Sequence, residues 1–158
     1  MNKKHKKGFT LIEVLVVVSI IGILASIMLV GLGGFRAKGR DARRIADLRQ
    51  VQNVLELYFS KCGYYPGGAT LGVCNTTNPA SWADLKSSLV SANIGVTAIA
   101  NDPLAPAQNY VYGPAGASPQ NYVLQAALED TNNSALKDDV DVITYTVDCA
   151  DPKYCIQF

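Results

Sequence analysis

Glu13 is the side chain on which the chemistry of this 158-residue chain turns, because it opens a run of 22 uncharged residues from Val14 to Phe35. A carboxylate at the edge of so apolar a segment is costly unless it is protonated or paired, so it is a functional residue by default. The alternative is a glutamate that only reaches the headgroup region.

Three further sets of residues have the types for chemistry. Cys62, Cys74, Cys149 and Cys155 allow three disulfide pairings, of which Cys62–Cys74 and Cys149–Cys155 close short local loops. Zinc is disfavoured, since neither pair has C-x-x-C spacing and the single histidine, His5, precedes the apolar run. Asp138, Asp139 and Asp141 lie in Glu129–Asp151, which holds seven carboxylates and one lysine. They offer oxygen ligands for calcium but lack EF-hand spacing, so a solvated acidic loop without a cofactor is the expectation and calcium the alternative. Asn75 and Asn132 head N-x-S/T sequons of weak weight.

Arg36, Lys38, Arg40, Arg43, Arg44 and Arg49 face only Asp41 and Asp47 in their stretch. Without interleaved aromatics they make no single-strand binding platform, so DNA is an unfavoured partner. Anionic headgroups, or acidic neighbours in an assembly, suit them better. No G-x-S-x-G, no P-loop and no organised acid–base pair is present, which argues against an enzyme.

The formal charge of +1 is the sum of opposed blocks. Lys3, Lys4, Lys6 and Lys7 make residues 1–8 basic, residues 36–49 are basic, and residues 50–158 carry four basic against ten acidic side chains. With 49% apolar residues the chain has material for a core as well as for the long segment.

The elements that must position these groups follow from periodicity. Residues 9–35 suffice to span a bilayer as a helix. A signal peptide would have a shorter apolar region and a better cleavage site than Leu32-Gly33-Gly34-Phe35-Arg36. From Ile45 the pattern turns one-sided: Leu48, Val51, Leu55, Tyr58 and Phe59 form a stripe on a helix that ends near Lys61, before Gly63. Gly31, Gly33 and Gly34 predict a bend at the join or a stretch that can melt, since glycine costs a helix about 1 kcal/mol relative to alanine. Ser81-Trp82-Ala83-Asp84 is a capping box that opens a short helix with Trp82, Leu85 and Leu89 inward. Strands are expected at 109–112, 122–128 and 140–147. The expected fold is α+β: a long N-terminal helix, membrane-spanning in 9–35 and amphipathic to 61, on which a small antiparallel sheet of the 62–158 head packs. Basic flanks on both sides of the span leave its orientation open. Disulfides require an oxidising compartment and so put the head outside the cytoplasm.

Lys6-Lys7-Gly8-Phe9-Thr10-Leu11-Ile12-Glu13 resembles the cleavage and methylation signature of type IV prepilins and type II secretion pseudopilins, and Gly22-Ile23-Leu24-Ala25 is similar to that family. Gly63-Tyr64-Tyr65-Pro66 also resembles its G-x-Y-P turn. The resemblance covers about the first third of the chain. It implies a leader, 1–8, cut after Gly8 by a prepilin peptidase that also N-methylates Phe9, and a Glu13 that meets the new amine of a neighbouring subunit. It further implies a single-pass inner-membrane precursor with a cytoplasmic N-terminus, an inner-membrane assembly platform, and polymerisation with itself or other pilins into a surface or periplasmic filament. A pilus subunit is the first reading and a secretion pseudopilin the alternative. A membrane-anchored binding module that never assembles is the rival from another class.

Overall fold

The computed structural model describes residues 9–67, 74, 78–116 and 119–158, with 29–32 described by backbone alone. The leader with Gly8, and the sequon at Asn75, lie outside the described residues. The chain divides into two units, Met1–Ala37 and Lys38–Phe158. Helix α1, Leu11–Cys62, contributes to both.

In the first unit α1 is apolar on every side. Leu11, Ile12, Val14–Val18, Ile20, Ile21, Ile23, Leu24, Ile27 and Met28 are all exposed. A helix that is hydrophobic all round is stable only in an apolar surrounding, and this one is long and apolar enough to cross a membrane. At Gly31–Gly34, where a bend or a stretch that can melt is expected, the backbone is helical. Gly33 and Gly34 have nothing within 4 Å of where a Cβ would stand, so they thin the helix surface without breaking it.

In the second unit the stripe on α1 becomes the floor of the core. Leu48, Val51, Val54, Leu55 and Tyr58 are buried, with Ile45 and Phe59 partly covered. The helix stops where Gly63 takes φ +79°, a left-handed conformation glycine adopts without strain, and its N–H donates to Phe59 O at 2.7 Å. Helix α2, Trp82–Ser91, is capped by Ser81, whose Oγ accepts from the Asp84 N–H at 3.2 Å. It buries Trp82, Leu85 and Leu89.

Strands β1 (Val111–Pro114), β2 (Tyr122–Ala127) and β3 (Lys153–Gln157) form an antiparallel sheet in the order β1-β2-β3. Leu124 stands opposite Tyr112 on one side and Ile156 on the other. Tyr122, Leu124 and Ala126 join the core shared with α1, while Val123 packs with Val147, Cys149 and Cys155 in a second cluster.

The third strand is a correction to the sequence reading. Residues 140–147 alternate like a strand, yet they form only an isolated bridge, Thr144 to Val147. Tyr145 and Thr146 take φ +49° and +71°, which turns the chain back on itself and leaves Val142 and Ile143 exposed. Lys153–Gln157 supplies the edge strand instead. Its period-2 signal is short and is interrupted by Cys155, which bonds to Cys149.

Candidate assembly site

At the start of α1 two residues close a reciprocal cap. The Thr10 N–H donates to Glu13 Oε2 at 2.8 Å, the Thr10 hydroxyl to the same oxygen at 2.6 Å, and the Glu13 N–H to Thr10 Oγ1 at 3.3 Å. This is a Thr-x-x-Glu capping box, which satisfies helix donors that have no intrahelical acceptor. The sequence reading names Glu13 and not Thr10, although the Thr-x-x-Glu spacing carries the signal. Both side-chain bonds end on Oε2, so Oε1 has no donor among the described residues. Phe9 is 88% exposed just before the cap, and with Glu13, Val14, Val17 and Val18 it lines a shallow apolar groove. A carboxylate held in place, with one oxygen open and apolar side chains around it, can accept one cation brought to it in low dielectric.

The basic stretch after the apolar helix is divided between two uses. Arg44 is fully buried: its Nε donates to Asp102 Oδ2 and its Nη1 to Asp41 Oδ1 and Glu129 Oε1, each at 2.7 Å. Arg40 Nε reaches Glu129 Oε1 at 2.7 Å, and Asp41 accepts the N–H groups of Glu129 and Asp130. Burial opposes the Arg44 charge most, but bonds to Asp102, Glu129 and Asp41 outweigh it and keep the guanidinium well above its ordinary pKa. Arg40 first, and then Arg44, hold Glu129 down at about 2. The sequence reading sent the whole stretch to lipid or to acidic neighbours. Arg40 and Arg44 instead tie α1 to the turn at Asp102 and to the segment after β2. Arg36, Lys38, Arg43 and Arg49 remain exposed.

The cysteines form Cys62–Cys74 and Cys149–Cys155. The first fastens the end of α1 to the following loop, and the second ties β3 to the segment before it.

Of the acidic loop, the structure brings Asp139 and Asp141 together with Asp151 rather than with Asp138, their carboxylate oxygens within 4.8 Å of one another. Asp139 Oδ2 accepts the Cys155 N–H at 2.8 Å, while its Oδ1 is buried with no partner among the described residues. Burial first, and then Asp141 and Asp151, push the Asp139 carboxyl above its ordinary pKa. Three carboxylates and an orphaned buried oxygen suit a hard, oxygen-seeking cation such as calcium, for which Asp139, Asp141 and Asp151 would be the ligands and neutralised repulsion the benefit. Among the described residues no catalytic nucleophile–base pair accompanies them.

The N-terminal sequence has counterparts in known proteins. Residues 3–29 match the family described as the prokaryotic N-terminal methylation motif. The chain carries that methylation motif. The chain is similar to type II secretion system core protein G of Aeromonas hydrophila, 38% identical over 66 residues that cover 42% of this chain and 46% of that protein. The same-named protein of Vibrio cholerae is 39% identical over 83 residues, 50% of this chain and 57% of that protein. Fimbrial protein EcpC of Eikenella corrodens is 34% identical over 79 residues, 49% of this chain and 52% of that protein. The chain thus spans about half the length of the curated relatives it matches. No solved structure matches it. Its apolar helix is of the kind that anchors prepilins in a membrane.

Proposed function

We propose that this chain is a structural subunit of a type IV pilus-like filament, working by polymerisation and not by catalysis. The observation that carries the reading is the all-round exposed apolar half of α1, opened by a capped carboxylate within a prepilin motif. Such a helix has two apolar surroundings available: lipid before assembly and sister helices after it.

The precursor enters the inner membrane once, with a cytoplasmic N-terminus and the disulfide-bonded head outside. A prepilin peptidase cuts after Gly8 and methylates Phe9. The new cationic amine of an incoming subunit then meets Glu13, whose open oxygen receives it, and the pair sets the register of addition. An assembly platform in the inner membrane extracts the subunits, and other pilins join them in the filament.

Glu13→Ala tests this reading. The variant should stay membrane-inserted and be lost from sheared or extracted filaments, whereas wild-type filament yield from it would overturn the role of Glu13. A second reading, a pseudopilin of a type II secretion system, is favoured by the names of the relatives from Aeromonas hydrophila and Vibrio cholerae. Long fibres released by shearing would support a pilus. Loss of protein export on deletion, without surface fibres, would support a pseudopilus.

A further inference from the structure

We infer that the loop from Asp138 to Ile143 docks on a second copy of this chain, against the basic flank of that copy's α1 around Arg43; the inference rests on the filament reading and adds to it a contact between heads.

Val142 and Ile143 are 66% and 75% exposed, more than any other large apolar residue described in the second unit. They are not loose. On one side Asp139 takes the Cys155 N–H of β3 and Val140 is partly buried. On the other, Thr144 and Val147 exchange two backbone bonds of 2.9 Å, and Val147 is buried beside Gly113 and Val123. The turn between them holds Tyr145 and Thr146 in left-handed backbone, strained for any residue but glycine and most of all for a β-branched one. Strain of that kind persists only where the surroundings enforce it. The apolar pair is therefore presented on a fixed frame, so little ordering cost attends its burial by a partner.

Charge selects the partner. Asp138, Asp141 and Asp151 are exposed around this tip, and no cation pairs with them among the described residues. Every copy of the chain also presents an exposed cation on α1 in Arg43. The Arg43 side chain is 60% exposed, held only by Asp47 at 3.5 Å in an i,i+4 pair. Exposed pairs of that kind contribute only a few tenths of a kcal/mol and yield readily to a new carboxylate.

The two surfaces belong to opposite edges of the sheet. Asp47, the partner of Arg43, accepts the hydroxyl proton of Tyr110 at 2.8 Å, at the approach to β1, whereas Asp139 hangs on β3. A contact between unlike surfaces on opposite flanks is heterologous. It leaves a free surface at each end, so it extends a chain of subunits and does not close a dimer.

The test compares full-length chains carrying Asp138→Lys with Asp141→Lys, Arg43→Glu, or all three, alongside cross-linking of Ile143→Cys to Arg43→Cys in separate copies by a bismaleimide. The first two variants should lower sheared-filament yield about tenfold at unchanged membrane level, with the head still melting cooperatively in detergent, since like charges now face each other. The triple variant should restore it, and Ile143→Cys should cross-link to Arg43→Cys. Wild-type yield from both charge reversals, or no restoration together with no cross-link, overturns the head contact while the filament reading stands. Cross-links without wild-type filaments keep the contact and sink the filament reading. Absence of both sinks both.

Discussion

Arg44 and Asp102 lie 58 residues apart and meet through two buried hydrogen bonds, Nε to Oδ2 at 2.7 Å and Nη2 to Oδ1 at 3.2 Å. Asp102 also accepts the Leu104 N–H at 2.8 Å, so one carboxylate orders the turn before β1 and fixes it to α1. Replacing Arg44 by Met leaves Asp41 and Asp102 buried without their cation. Breaking a buried pair from one side costs about 3–5 kcal/mol. Denaturant melts of the Arg44→Met head should show a loss of that order, and a loss below about 1 kcal/mol would mean that water replaces the guanidinium.

Acid stability should depend on Glu129. Its folded pKa, about 2, is depressed by Arg40 and Arg44. The stabilisation is fully present above the unfolded carboxylate pKa of roughly 4.3 and is lost as pH falls toward 2. Urea midpoints taken between pH 5 and 2 should fall less steeply for Glu129→Gln than for the wild type. Parallel profiles would remove Glu129 from the acid response.

Asp139 carries the opposite sign. Burial raises its folded pKa, so its charge destabilises the head as pH rises through the acid range. Asp139→Asn keeps an oxygen for the Cys155 N–H and removes the charge. Its melting temperature should exceed that of the wild type in chelator at neutral pH. Added calcium should raise the wild type alone, because a ligand that binds only the folded state stabilises it by mass action. An equal response of both proteins to calcium would exclude Asp139 as a ligand.

Gly113 is constrained by space. A Cβ built there would stand 2.5 Å from Val147 Cγ2 and 3.1 Å from Tyr145 O. Gly113→Ala should cost about 1–3 kcal/mol by overpacking. Hydrogen exchange should locate the damage in residues 144–149 and not in α2. Uniform protection across the head would show that the turn absorbs the methyl group.

Much of the architecture was legible because it rests on local patterns. The uncharged run, the stripe from Ile45 to Phe59 and the Ser81–Asp84 cap each declare themselves within a few helical turns. The prepilin signature is local too, and so was readable without a fold.

What remained illegible rests on encounters between distant residues. Residues 140–147 have the composition of a strand, but no neighbouring edge pairs with them beyond the Thr144–Val147 bridge; β3 occupies the edge beside β2. Asp151 replaces Asp138 in the carboxylate cluster because the Cys149–Cys155 loop returns it to Asp139.

The sequence by itself determined that this chain has an apolar helix with one carboxylate at its head, a basic segment and an acidic domain. Spacing and charge are one-dimensional properties. Only the tertiary structure decided how that charge is used: Arg44 is neutralised inside the head and Arg40 is paired at its margin, while Arg43 and the carboxylates around Ile143 stay at its surface. Neighbouring residues on one helix differ in burial by the direction each side chain faces, and that direction acquires meaning only when the sheet covers one side.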